Sequence, residues 1–191
     1  MSRVQMVQKD QAQSAVKELY NRIEENGASV LNLYRVLAHN PDVLRNFLRL
    51  GSSLITRTEL APKLRELVIL RVAKLTGSEY EWAQHYPMAM EVGVSREQTE
   101  AISRWSDSAN FSDEERAVLQ YTDEVAQNVE VQGETFRALY QHFNEQSIVE
   151  LTLSIGYWGM VARLLVPLQV DIDIQSISSV QELTGHKNKS S

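Results

Sequence analysis

The sequence predicts an all-α fold, a helical bundle, and three observations carry it. Apolar residues recur at three and four positions along almost every segment, as they do on one face of a helix. No run of alternating apolar and polar residues is long enough for a strand. The capping-box pattern that opens helices, Ser followed three residues later by Glu or Gln, occurs at Ser78/Glu81, Ser95/Gln98, Ser112/Glu115 and Ser147/Glu150.

Taken in order, Gln11 to Glu25 reads as a polar surface helix with Val16, Leu19, Tyr20 and Ile23 inward. Ser29 to Ala38 is a short helix stopped by His39-Asn40-Pro41. Pro41 opens the next, to about Ile55, because proline suits a first helical turn. Pro62 opens another in the same way, and its apolar set from Leu64 to Leu75 covers most sides, the mark of a core helix. Ser78 to Val92 follows, with a kink expected near Pro87, which has no amide to give the Ala83 carbonyl, and Gly93 ends it. Ser95 to Trp105, Ser112 to Asn128, Thr135 to Phe143 and Ser147 to Val166 complete the body, and Gly185 to Ser191 is a polar end. The two long apolar helices suggest a diverged helical repeat. Gly156-x-x-Gly159 opens one edge of the last helix, for core packing first and for a contact between subunits second.

The 191 residues suit one domain with one substantial core. A net charge of -6 and no basic run argue against nucleic-acid binding. The chain opens on polar, helix-like sequence with no signal-peptide core, and Leu151 to Ala162, bracketed by Glu150 and Arg163, is too short to span a bilayer. With no cysteine, these features point to a cytoplasmic protein with no membrane partner.

The chemistry concentrates in Ser78-Glu79-Tyr80-Glu81-Trp82-Ala83-Gln84-His85. Glu81 and His85, four apart, share a helix face. Glu66 lies on the preceding helix, across Thr76-Gly77, and an antiparallel hairpin would fold it onto the same spot. Glu66, Glu81 and His85 are therefore the candidate catalytic residues, with imidazole the group suited to proton transfer near neutral pH. Ser78 is sufficiently explained as a cap, and Glu81 is evenly divided between capping and chemistry. Tyr80 and Trp82 are candidate substrate-binding residues, as are Arg71 and Arg163, whose guanidinium groups suit a carboxylate. His39, His142 and His186 have no partner pattern. Glu66, Glu81 and His85 could between them ligate zinc or iron, but the recognised helical metal motifs and glycine-rich phosphate loops are absent, so neither a metal nor a cofactor is expected.

This stretch resembles the carboxymuconolactone decarboxylase and alkylhydroperoxidase D family from about Leu60 to Ile102, residues 1–59 being a helical extension, with a looser echo in Glu150 to Leu165. The resemblance implies the family's helical fold, a homo-oligomer (a dimer or a trimer-based assembly) and a small-molecule substrate. Peroxidases of the family carry a Glu, a Cys-x-x-Cys pair, and a His four residues after the second Cys. Here Glu66 stands at the Glu, Ser78 and Glu81 at the cysteines, His85 at the His, and Tyr80 between the cysteine positions. Without a thiolate a cysteine peroxidase mechanism is closed. The decarboxylase branch carries Glu-x-x-x-His at this place, which Glu81 and His85 match. The resemblance thus implies a lyase acting on a small acid or lactone, or else a peroxidase-related protein that binds without turnover.

Overall fold

The computed structural model describes residues 2–173 and Ser176, and His186 and the polar end at Gly185 to Ser191 lie outside them. Among the described residues there are nine α-helices and no strand: α1 Ser14–Glu25, α2 Asn32–Leu37, α3 Pro41–Thr56, α4 Pro62–Thr76, α5 Glu79–Glu91, α6 Arg96–Ala101, α7 Asp113–Asn128, α8 Gly133–Leu139 and α9 Glu145–Leu168. A 3₁₀ turn, Ile102–Asp107, joins α6 to the loop before α7.

The core is organised around α4. Every residue from Leu64 to Ala73 is buried, including the charged Arg65, Glu66 and Arg71. It packs against α5, α9 and α7, and the cluster they form holds Leu67, Ile69, Leu70, Leu119, Leu151 and Ile155. Each such aliphatic side chain contributes about 1.5–3 kcal/mol by leaving water. A smaller cluster under α1 to α3 is built on Val16, Tyr20 and Leu44. Pro41 and Pro62 both open their helices, and Asn40 caps α3 by accepting from the amides of Asp42 and Val43.

Two elements differ from expectation. The helix expected over Ser95 to Trp105 breaks into α6 and the 3₁₀ turn, with Arg104 off helical geometry. The buried Arg71 guanidinium accounts for the break: it donates to the carbonyls of Ile102 and Ser103, taking them from the helical ladder. At the last helix, Asn144 rather than Ser147 is the cap, accepting from the Ser147 amide at 2.8 Å, so α9 starts at Glu145. Glu150 is drawn elsewhere and accepts from the amides of Glu59 and Leu60, tying the loop before α4 to α9. Pro87 sits inside α5, which continues to Glu91.

α9 is long and apolar enough to cross a membrane, yet it packs in the bundle, and half of its most apolar stretch is buried. Its glycine edge is not used for close packing within the chain: a side chain at Gly156 would meet open space, and one at Gly159 would meet only the Arg163 guanidinium.

Candidate functional site

The site begins at a two-residue turn. Gly77 closes α4 with a left-handed backbone (φ 68°), a conformation that glycine adopts without penalty. Ser78 then caps α5 by accepting from the Glu81 amide. The short turn makes α4 and α5 a hairpin, which places the Glu66 carboxylate 2.8 Å from His85 Nδ1. Both side chains are buried, Glu66 completely. The other Glu66 oxygen accepts from Arg65 Nε at 3.3 Å, while Arg65 Nη1 donates to the Ile55 carbonyl. An Arg65–Glu66–His85 chain therefore fixes the imidazole and engages its Nδ1. Nε2 is left as the nitrogen available to the cavity that His85 lines.

Glu81 is 2% exposed and does not close a capping box, unlike Gln98 and Glu115 at α6 and α7. Its side chain lines the same cavity as His85. Neither carboxyl oxygen has a hydrogen-bond partner among the described residues. Burial pushes this carboxyl up to about 8, and the Ser78 hydroxyl lies close enough to offset part of that without making a well-formed hydrogen bond to it. Glu81 is thus a neutral acid at neutral pH.

The cavity measures about 370 Å³ and is walled by α2, α3, α5 and α9. Tyr34, Phe47, Tyr157 and Trp158 give it aromatic faces. Trp158 meets the His85 ring edge-on at 4.5 Å, and Tyr157 packs on Phe47 and donates to its carbonyl. Burial raises the Tyr34 and Tyr157 phenols above their ordinary value, so both stay protonated. On the α5 side, Asp173 binds the Tyr80 hydroxyl, Gln84 Nε2 at 2.8 Å and the Asn32 amide at 3.0 Å. The chain after α9 thereby fastens Tyr80 and Gln84 at the cavity rim.

The hairpin thus brings Glu66, Glu81, His85 and Tyr80 together. It does not bring Trp82, Arg71 or Arg163 to the cavity. Trp82 lies under the Lys74 ammonium, which sits 3.7 Å from its ring centre. Arg71 forms a two-point pair with Asp123 (2.6 and 2.8 Å), and Trp105 donates to the same carboxylate, so this arginine fastens the 3₁₀ turn and α7 to α4. Arg163 is exposed and donates to its own helix at Gly159. With both arginines elsewhere, no lysine or arginine among the described residues lines the cavity.

The motif did not announce the walls on α2, α3 and α9. Two signals were present: the adjacent aromatics Tyr157-Trp158 in an otherwise aliphatic helix, and the isolated Gly51 inside amphipathic α3. Gly51 is needed for close approach, since a Cβ there would overlap the Tyr157 hydroxyl. Gly51→Ala is expected to destabilise by about 1–3 kcal/mol by overpacking, against a gain of about 1 kcal/mol in helix propensity. Adding Tyr157→Phe should restore much of the loss. Calorimetry checks both, and a single variant more stable than wild type would contradict the tight fit.

The sequence matches the carboxymuconolactone decarboxylase family over residues 41–124. It is 30% identical over 127 residues to the uncharacterized protein YnjA of Escherichia coli, an alignment covering 66% of this chain and 69% of that protein. In fold it is similar to the crystal structure of an alkylhydroperoxidase core, an uncharacterized peroxidase-related protein from Ralstonia eutropha (TM-score 0.80, 17% identity, 92% of this chain and 94% of that one). It is also similar to the debrominase Bmp8, a cysteine-to-alanine form of which was solved in complex with 2,3,4-tribromopyrrole (TM-score 0.76, 18% identity, 94% and 96% of the two chains).

Proposed function

This chain belongs to the carboxymuconolactone decarboxylase family, and from that premise we propose that it is a decarboxylase-like enzyme moving a proton on a small unsaturated acid or lactone. The observation that supports this best is the buried 2.8 Å contact between Glu66 and His85 Nδ1 at the wall of an aromatic cavity. Neutral His85 gives its Nδ1–H to Glu66 and keeps a lone pair on Nε2. When Nε2 takes a proton, the Glu66 carboxylate stabilises the imidazolium. When loss of carbon dioxide leaves a dienolate, the same Nε2–H protonates the distant carbon and the imidazole returns to neutral. No thiolate takes part, since the sequence has no cysteine. The tribromopyrrole bound by the debrominase of similar fold supports a small flat ring as the guest.

The test is turnover of a panel of butenolides and their carboxylates, followed by ultraviolet absorbance. His85→Gln is expected to slow any wild-type turnover by about 10²- to 10⁴-fold, the usual contribution of a positioned acid–base group. Equal rates would remove His85 from the mechanism, and wild-type binding without turnover would favour the peroxidase-related binding role.

The active form, in this reading, is a homo-oligomer joined through the outer face of α9. Val149, Leu153, Met160 and Val166 are each about half exposed there, with Gly156 open among them. Met160→Glu is expected to reduce the assembly mass measured by light scattering, and a wild-type monomer at every concentration would overturn the assembly.

A further inference from the structure

The proton-transfer scheme above uses Glu66 and His85 and leaves Glu81 without a task. Buried polar groups are nearly always hydrogen-bonded, and leaving one unsatisfied costs about 1–3 kcal/mol. Both Glu81 oxygens are unsatisfied, and the capping that would excuse a Glu at this position is done by Ser78 alone. The indole N–H of Trp158, another residue of the cavity wall and a pure donor, is also without a partner among the described residues. A wall that keeps unpaired polar groups beside an acid–base pair is built for a guest that supplies the missing partner.

We infer that Glu81 acts as a neutral carboxylic acid whose O–H binds the ring carbonyl of an uncharged, planar, unsaturated substrate (a lactone or enone), in preference to a free carboxylate. The inference rests on the proposal that the cavity beside His85 is the substrate site, and it narrows that proposal to an uncharged ring on which His85 moves a proton without loss of carbon dioxide. His85 Nε2 removes a proton from a carbon conjugated with the carbonyl. The C–H electron pair becomes a ring double bond, and the negative charge moves to the carbonyl oxygen, where the Glu81 O–H stabilises it. The proton then returns from Nε2 to another carbon of the conjugated system, and the carbonyl re-forms. A carboxylic acid kept neutral by its surroundings is an effective donor to such an oxyanion. The surroundings that hold Glu81 protonated equally disfavour a carboxylate guest, for which the described residues of the cavity offer no lysine or arginine.

The titratable groups around Glu81 are His85 with Glu66 and Arg65 behind it, Tyr80 with Asp173 behind it, and Tyr34 and Tyr157. Burial raises all three phenols, so none ionises below the range in which Glu81 does. Glu81 donates below about 8 and loses that ability above it.

The test is calorimetric titration with cyclohex-2-enone and with cyclohex-1-ene carboxylate, a neutral and an anionic probe of similar size. At about pH 6.5 the enone is expected to bind wild type about tenfold more tightly than the carboxylate, and raising the pH to about 9.5 should weaken it about tenfold, the worth of one hydrogen bond. Glu81→Gln keeps a donor and should bind the enone about equally at both pH values, whereas Glu81→Leu should lose about tenfold at the lower one. His85→Gln should keep the wild-type pH dependence, which assigns that dependence to Glu81 rather than to imidazole. Carboxylate binding as tight as the enone, pH-independent wild-type binding, full affinity in Glu81→Leu, or no saturable enone binding would each overturn the inference. Its failure is separable from that of the acid–base proposal, because unchanged turnover in His85→Gln sinks the latter without touching these binding results.

Discussion

Glu66→Ala is expected to destabilise the protein by about 3–5 kcal/mol, the usual effect of removing one partner of a buried ion pair. Arg65 would remain buried with only the Ile55 carbonyl to receive its donors, and His85 would lose the group that orients it. Glu66→Gln keeps an acceptor for Arg65 and should lose less stability, while still failing to stabilise an imidazolium. Urea unfolding of the two variants separates the roles. A loss under about 1 kcal/mol in Glu66→Ala would mean that Glu66 does not anchor the pair.

Glu81 is expected to behave in the opposite way, because it has no partner to lose. Its folded-state value lies near 8, above the ordinary 4.5. Below about 4.5 the folded and unfolded chains both hold the proton, and Glu81 makes stability independent of pH. Between about 4.5 and 8 the unfolded chain has released the proton and the folded chain has not, so stability falls as pH rises. Above 8 the loss is complete. At about 1.4 kcal/mol per pH unit the window amounts to roughly 5 kcal/mol. Glu81→Gln has no such slope, so it should gain on wild type steadily from acid to alkaline pH. Parallel stability profiles for the two proteins would show that Glu81 is ionised and solvated in the fold.

Much of this arrangement was legible in the sequence because it is local. Helical periods mark most of the helices, and the two residues Gly77 and Ser78 between α4 and α5 force a hairpin that brings Glu66 to His85. What stayed hidden depends on contacts between distant segments. Glu81 has the spacing of a capping partner, and only packing decides whether its carboxyl turns back to the amide or into the cavity. Arg71 and Arg163 look alike as cations on apolar helices. One is claimed by Asp123, 52 residues away, and the other reaches solvent. The 3₁₀ break at Arg104 has no proline or glycine to mark it, since its cause is the Arg71 guanidinium, which reaches the carbonyl of Ile102, 31 residues on. Asn144 and Ser147 are both good caps, and the choice between them follows from Glu150 being drawn to the loop before α4.

At the centre of the site, Glu66 holds His85 with its proton on Nδ1, so that Nε2 faces the cavity ready to exchange one. Nitrogen-15 NMR of the imidazole of His85, assigned by comparison with His85→Gln, tests this without a substrate. In the neutral ring we expect a protonated Nδ1 and an unprotonated Nε2. A neutral His85 carrying its proton on Nε2, with Nδ1 bare beside Glu66, would contradict it.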